Sequence, residues 1–183
     1  MARINKTRYA LLGILGETPM NAYEIKKTIE QSIGFFWQES FGQIYPILKQ
    51  LEKEACLKSS KEKKGSGTET TIYKITPKGK KELKDWLEKP VEKSPYRNEL
   101  LLKLFFGNHV KKEVLIKHLQ DTKEEVLRLM DIYDNIRKFV TETENPETNK
   151  TLSLITLDFG ITTAKGFLDW AEESRAKIKN SDF

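Results

Sequence analysis

The sequence predicts a mainly α-helical protein with one small β-hairpin, and three observations carry this prediction. Apolar residues recur at steps of three and four in several separate segments, which is the spacing of helices. Between residues 57 and 76 the period changes to two, which is typical of strands. A charged segment with two prolines, KPVEKSP at 89–95, then separates the two halves. We therefore expect two domains, residues 1–90 and 91–183.

The first two helices are marked by caps and by apolar stripes. Asn5 can cap the first helix, which should end near Gly16. Asn21 followed by Glu24 has the spacing of a capping box at the start of the second. The expected inner faces are Ala10, Leu11, Ile14 and Leu15 in the first helix, and Ala22, Ile25, Ile29 and Ile33 in the second.

The third helix, within SFGQIYPILKQLEKE at 40–54, contains a glycine and a proline. Ser40 with Gln43 three residues later is a capping-box signal. Pro46 removes a helical hydrogen bond to the carbonyl of Gly42, at a cost of about 3 kcal/mol. The predicted buried stripe, whose spacing nevertheless favours a helix, is Ile44, Leu48, Leu51 and Ala55.

A basic hairpin and a fourth helix complete the first half. Residues 57–64 and 70–76 flank GSG, and Tyr73 and Ile75 share one face of the second strand. Thr76 and Pro77 give a helix start with proline at the first helical position. Leu83, Trp86 and Leu87 supply the apolar side of that helix. Three helices, a two-stranded ribbon and a helix are the order of a winged helix-turn-helix.

The second half is predicted to be entirely helical, with a short amphipathic helix followed by two long helices. TETENPETN at 141–149 is a polar break between the long helices. A period near 3.5 in both favours coiled-coil-like packing, within the chain or between two chains. We assign these seams to a dimerisation domain, with a monomeric three-helix bundle as the alternative. The candidate interface residues are Leu115, Leu119, Val126, Leu129 and Tyr133 on one helix and Leu154, Leu157, Ile161 and Leu168 on the other.

Charge is distributed unevenly along the chain. Residues 1–90 hold 17 Lys and Arg against 11 Asp and Glu, a net charge of +6, whereas residues 91–183 hold 15 against 16, a net charge of −1. A basic first half fits a polyanionic partner. The single cysteine, Cys56, excludes an internal disulfide and fits a cytoplasmic protein. No apolar run approaches the length that spans a bilayer.

Motifs of enzymes, metal sites and cofactor sites are not found. His109 and His118 lack metal-ligand spacing, and the GxG in KKGSGTET lacks the rest of a phosphate loop. No nucleophile elbow marks a catalytic serine. We therefore expect no catalysis, no metal and no cofactor.

The face of the third helix opposite its apolar stripe is suited to contact DNA. At 100° per residue it presents Gly42, Pro46, Lys49 and Lys53, flanked by Gln43 and Gln50. A glycine allows close approach of the backbone, and lysine and glutamine side chains can bond phosphates and base edges. The lysines of the hairpin could follow the DNA backbone as a wing; they are Lys58, Lys61, Lys63 and Lys64.

These segments resemble the PadR family of bacterial transcriptional regulators. The resemblance rests on RYALLGILGETPMNAYEIKKTIE (8–30), FWQESFGQIYPILKQLEKE (36–54) and TIYKITPKGKKEL (71–83). NELLLKLFFG (98–107) and LDFGITTAKGFLDWAEES (157–174) are similar to the longer-tailed branch of that family. Ala22 and Ala55 stand where the family usually has glycine.

The resemblance implies a winged-helix homodimer, usually a repressor, whose affinity for double-stranded DNA is lowered by a small effector. It puts DNA contact on the wing lysines and on Ser40, Gly42, Gln43, Tyr45, Pro46 and Lys49. A small aromatic effector could be lined by Trp37, Trp86, Tyr96, Phe105, Phe106 and Tyr133, although core packing is an alternative role for each. The alternative function is a protein-interaction adaptor that keeps the winged-helix shape without using DNA.

Overall fold

The chain divides into two compact units, Met1–Glu92 and Lys93–Phe183, in a computed structural model. The predicted boundary lies two residues earlier in the chain. None of the helices in the described part of the chain is long and apolar enough to cross a membrane. The structure describes residues 5–37, 41–63, 69–93, 96–142 and 149–182.

The N-terminal unit is a winged helix-turn-helix, as the order of its predicted elements indicated. Its sheet has three antiparallel strands in the order β1-β3-β2. The short strand β1 was not predicted, and it pairs Met20 with Tyr73 and Asn21 with Ile72. The elements are α1 (Thr7–Glu17), β1 (Met20–Asn21), α2 (Ala22–Gln31), α3 (Phe41–Lys53), β2 (Leu57–Lys63), β3 (Glu69–Ile75) and α4 (Pro77–Leu87).

Local capping explains where the first two helices begin. The side-chain oxygen of Asn5 accepts a hydrogen bond from the backbone N–H of Thr7 at 3.0 Å. Both bonds of the predicted capping box are present at 2.9 Å: Asn21 accepts from the backbone of Glu24, and the Glu24 carboxylate accepts from the backbone of Asn21. These bonds satisfy backbone donors that the first turn of a helix leaves free. The predicted cap Ser40 lies outside the described residues.

One apolar core holds the N-terminal unit together and includes the stripe predicted for the third helix, with one exception. Ile44, Leu48 and Leu51 are buried, whereas Ala55 is exposed because α3 ends at Lys53. Trp86 stacks on Tyr9 with ring centroids 4.4 Å apart. The buried hydrophobic residues of this core are Tyr9, Leu11, Leu12, Leu15, Ile25, Ile29, Ile44, Ile47, Leu48, Leu51, Cys56, Leu57, Tyr73 and Ile75.

Ala55 instead ends α3 in a left-handed conformation, with φ of 57°. The backbone N–H of Cys56 donates to the carbonyl of Leu51, and that of Ala55 donates to the carbonyl of Glu52, both at 2.9 Å. These two bonds are those of a Schellman motif, in which the left-handed residue is usually glycine. The motif therefore forms here with an alanine, at a conformational cost of about 1 kcal/mol.

The start of α4 fixes this turn against the sheet. The Thr76 hydroxyl donates to the carbonyl of Ala55 at 2.8 Å and accepts from the backbone N–H of Gly79 at 3.1 Å. Thr76 is thus the N-cap and Pro77 the first helical residue, as predicted. A Cβ on Gly79 would lie 2.2 Å from the Cys56 carbonyl oxygen, so only glycine fits at this position.

The C-terminal unit consists of helices. Asn98 and Asn149 cap two of them through their side-chain oxygens, which accept from the backbone N–H groups of Leu101 and Leu152. The elements are α5 (Glu99–Phe105), a 3-10 turn (Gly107–His109), α6 (Lys112–Glu142) and α7 (Lys150–Asn180).

The two long helices form an antiparallel hairpin whose register is marked by ion pairs. Lys123 pairs with Glu172, and Arg137 pairs with Asp158 at 2.5 Å. As the residue number rises along α6, that of its partner on α7 falls, which fixes the antiparallel direction. The side chains buried in this hairpin are Leu115, Leu119, Tyr133, Leu157, Ile161, Ala164 and Ala171.

Candidate nucleic-acid interface

Helix α3 has one buried and one exposed face. Ile44, Ile47, Leu48 and Leu51 anchor it in the core. The predicted contact residues that the structure describes on this helix are all exposed; they are Gly42, Gln43, Tyr45, Pro46, Lys49, Gln50 and Lys53. The helix therefore presents to solvent the side chains that the 100° spacing had placed outside.

Pro46 lies inside α3 and on its exposed face. Its ring cannot donate the hydrogen bond that the Gly42 carbonyl would accept in a regular helix. Because Gly42 is exposed too, this carbonyl is on the solvent side, and no Cβ at Gly42 keeps another molecule away. The exposed face of α3 thus allows close approach to its backbone.

Lys49 is held in place by two neighbours on its own helix. Its ammonium donates to a carboxylate oxygen of Glu52 at 3.3 Å and lies 5.8 Å from the centre of the Tyr45 ring. The hydrogen bond to Glu52 raises the pKa of Lys49, so this side chain is charged at neutral pH. A lysine ammonium has three donors, so two remain for a further ligand.

The lysines of the hairpin lie on the exposed strand β2. Lys58, Lys61 and Lys63 are exposed, and Lys61 pairs with Glu69 across the hairpin at 3.0 Å. Lys64 lies outside the described residues. A surface pair of this kind contributes little to stability, so Lys61 can exchange Glu69 for a stronger anion.

A charged cluster that no sequence motif marks lies at the end of α3. The Arg8 guanidinium bonds Glu54 at 2.5 Å and Glu82 at 2.6 Å, and so joins α1, the end of α3 and α4. Burial and the hydrogen bond to Glu82 raise the pKa of the Cys56 thiol to about 11. Glu54, Cys56 and Glu82 offer oxygen and sulfur atoms within 4.8 Å of one another. Arg8 already supplies the positive charge that balances these carboxylates.

The six aromatic residues predicted for an effector pocket have different surroundings. In the N-terminal unit, the Trp37 indole donates to the Thr7 hydroxyl at 3.3 Å, and Trp86 stacks on Tyr9. Both are packed against their neighbours and only partly exposed.

In the C-terminal unit, Tyr133 is buried in the α6–α7 hairpin, whereas Phe106 is exposed. Tyr96 and Phe105 are 82% and 81% exposed and line an open groove of about 660 Å³. Arg97 also lines this groove and brings a positive charge to it.

Two protein-family models match the chain, one in each unit. Residues 11–85 match the family model described as "Transcriptional regulator PadR-like family", and residues 96–179 match "Virulence activator alpha C-term". Together the two matches show that the chain is similar to PadR-like transcriptional regulators. Members of this family regulate transcription and are not enzymes.

Relatives extend the similarity over nearly the whole chain. The negative transcriptional regulator PadR of Bacillus subtilis is 28% identical over 182 residues, which is 93% of this chain and 96% of the relative. The crystal structure of B. subtilis PadR with operator DNA has the same fold, with a TM-score of 0.85 at 22% identity over 96% of this chain and 99% of that chain. A structure of that protein with p-coumaric acid gives a TM-score of 0.76 at 22% identity, over 96% and 100% of the two chains.

Proposed function

We propose that this protein is a homodimeric repressor that binds operator DNA through α3 and the hairpin and is released by a small aromatic effector. One observation carries the DNA-binding part. The exposed face of α3 combines an approachable backbone at Gly42 and Pro46 with the cation of Lys49, while the opposite face is buried. That combination suits a helix that lies in the major groove.

The hairpin adds affinity with little sequence preference. Lys58, Lys61 and Lys63 bring positive charge to one exposed strand, and lysines bind phosphate oxygens whatever the base sequence. The exposed glutamines Gln43 and Gln50 supply the amide groups that pair with adenine edges in the major groove. B. subtilis PadR, which has this fold, has been crystallised with operator DNA, and this supports the proposal.

Exposed apolar side chains of the C-terminal unit support a homodimer. Ile132 and Phe139 are seven residues apart on α6, and Leu152, Ile155 and Phe159 follow at steps of three and four on α7. The hairpin register brings these two stripes to the same end of the unit. A second copy of the chain would cover them and set the two winged domains about 34 Å apart, one turn of DNA.

The predicted seam residues have a different place in this arrangement. Leu115, Leu119, Tyr133, Leu157 and Ile161 are buried within a single chain. Val126, Leu129, Leu154 and Leu168 are partly buried. Their contribution to a dimer interface remains a prediction, and the exposed stripes are the surface on which we base the dimer.

The open groove near α5 is our candidate effector site. Tyr96 and Phe105 offer aromatic faces and Arg97 a cation, which together suit an aromatic carboxylate. B. subtilis PadR has been solved with such a compound, p-coumaric acid. The effector would favour dimers whose two winged domains no longer match successive major grooves, by shifting an existing equilibrium.

Fluorescence anisotropy tests the DNA-binding proposal. The protein is titrated against DNA from immediately upstream of its own gene and against a scrambled duplex, at several salt concentrations. We expect tight binding to the upstream DNA alone. The logarithm of the association constant should fall linearly with the logarithm of the salt concentration, with a slope of about −0.9 for each phosphate neutralised. Lys49→Ala should weaken binding, whereas Lys117→Ala on α6 removes the same charge from the other unit and should not.

Two results would contradict the DNA-binding part of the proposal. Equal, weak binding to both duplexes would leave only a basic surface and favour the protein-interaction adaptor. Unchanged binding by Lys49→Ala would show that α3 is not part of the interface.

Added p-coumaric acid tests the effector site. It should release the DNA from the wild type and from Arg128→Ala, but not from Arg97→Ala. Release from all three proteins would show that the effector binds elsewhere.

A further inference from the structure

Helix α3 and the hairpin are joined by one carboxylate, that of Glu52. One of its oxygens accepts a hydrogen bond from the Ser59 hydroxyl on β2. The other accepts from the Lys49 ammonium on α3 at 3.3 Å. Glu52 thus contacts both elements of the candidate interface at the same time.

The surroundings of Glu52 make this connection specific. Ser59 lies directly opposite Tyr73 in the β2–β3 register, and the Tyr73 side chain is buried. The Tyr73 phenol lies within electrostatic reach of Lys49, Tyr45 and Glu52. The hydrogen bond from Ser59 lowers the pKa of Glu52 more than that from Lys49, so the carboxylate is charged at neutral pH.

We propose that Glu52 is a positioning residue that fixes the hairpin relative to α3, so that a DNA duplex is contacted by both elements in one geometry. The inference rests on the proposed DNA binding. The Ser59 bond sets the root of the hairpin, and the Lys49 bond directs the ammonium while two of its donors stay available. A side chain held in this way loses less freedom on binding, which favours the cognate sequence.

A set of four variants separates position from charge. Glu52→Ala removes both hydrogen bonds and the charge. Glu52→Gln loses the same charge, but its amide can still accept from Lys49 and donate to Ser59. Ser59→Ala breaks one bond without a change of charge. Glu62→Ala removes a negative charge from an exposed position on the same strand and is the matched control.

The quantity to measure is the ratio of the Kd for scrambled DNA to the Kd for the duplex that the wild type enriches from a random library. We expect Glu52→Ala and Ser59→Ala to lower this ratio about fivefold, and Glu52→Gln to stay close to the wild type. Glu62→Ala should strengthen binding to both duplexes equally. A sample of a partly unfolded variant would contain less active protein, but the ratio of the two Kd values would stay unchanged.

Hydrogen exchange of the free protein gives a second readout. Amides of β2 should exchange faster in Glu52→Ala than in Glu52→Gln, because only the first loses the tie to α3. If the wild type enriches no duplex, the proposed function fails. If the wild type does enrich a duplex, but Glu52→Ala has the same Kd ratio and the same β2 exchange rates as Glu52→Gln, then Glu52 is not a positioning residue.

Discussion

The two units of the chain bury their apolar side chains to different degrees. In the N-terminal unit Leu11, Ile25 and Leu48 are fully enclosed by helices and strands of the same chain. In the C-terminal unit two long helices cover one another along a single seam, and Phe159 and Phe139 stay 73% and 65% exposed. Two packed helices leave part of each helix surface uncovered, so exposed apolar stripes remain on the C-terminal unit, and these are the stripes on which we base the proposed dimer.

The largest expected effect is a loss of stability in the closed N-terminal unit. Gly79→Ala places a Cβ 2.2 Å from the Cys56 carbonyl oxygen and 2.9 Å from a side-chain carbon of Ile75. The backbone must move apart, and we expect the free energy of unfolding to fall by about 3 kcal/mol in urea denaturation.

The control for that variant is a glycine with open space around it. Gly13 lies inside α1, and a Cβ there would meet nothing within 4 Å. Gly13→Ala should therefore be neutral or raise stability by up to about 1 kcal/mol, since alanine favours helix. Equal losses in both variants would show that helical glycines, and not the contact with Cys56, set the result.

The next largest effect should be on dimerisation, through the exposed apolar stripes of the C-terminal unit. Phe159→Ser removes the most exposed aromatic of the α7 stripe. If a second copy covers that stripe, the dimer loses about 2 kcal/mol, or roughly thirtyfold in Kd, by analytical ultracentrifugation. Leu87→Ser on α4 is the matched change, because Leu87 is 65% exposed in the N-terminal unit and should leave the dimer intact. An unchanged Kd for Phe159→Ser would contradict the dimer surface proposed above.

A smaller loss is expected at the charged cluster that closes the N-terminal unit. Burial alone would raise the pKa of Glu54, but the hydrogen bonds from Arg8 and Gln50 outweigh it and hold this pKa below its ordinary 4.5. A lowered pKa contributes stability above pH 4.5 that is lost as the pH falls through the folded value. Arg8→Met should therefore cost about 1.5 kcal/mol at pH 7, after allowance for the partial exposure of Glu54.

The pH dependence identifies the cause of that loss. The stability difference between Arg8→Met and the wild type should shrink as the pH falls below 4.5, because a protonated Glu54 no longer needs the guanidinium. Arg128→Met is the control, since Arg128 is exposed and its partner Glu124 lies 3.9 Å away. A difference that stays constant from pH 7 to pH 3 would mean that Arg8 acts through packing.

Much of the fold could be predicted because it depends on local spacing. The mainly helical class with a hairpin was confirmed, and the period of α3 correctly placed Gly42, Pro46 and Lys49 outside. Caps such as Asn21 were found because both partners lie within one turn. Strand β1 was missed because its pairing of Met20 with Tyr73 joins residues far apart in sequence, and two residues show no alternation.

Contacts between side chains that are far apart in the sequence could not be predicted either. Arg8 meets carboxylates 46 and 74 residues further along, at Glu54 and Glu82, and no spacing rule connects them. The tie between Glu52 and Ser59 depends on how β2 leaves the end of α3. Heptad spacing revealed two helices with apolar seams, but such a pattern is the same whether the seam is closed by the same chain or by a second one.

The smallest expected effect tests whether the backbone of the N-terminal unit is strained at the end of α3. The predicted apolar stripe was extended to Ala55, two residues beyond the end of α3 at Lys53, whereas Ala55 has the left-handed conformation that ends a Schellman motif. Ala55→Gly should remove this conformational cost and raise the free energy of unfolding by about 1 kcal/mol. Ala10→Gly, inside α1, should lower it by a similar amount because glycine disfavours helix. If both variants lose stability, φ at position 55 is not the source of strain in the turn between α3 and β2. The strain would then lie in the contacts of Thr76 and Gly79 that close the same turn.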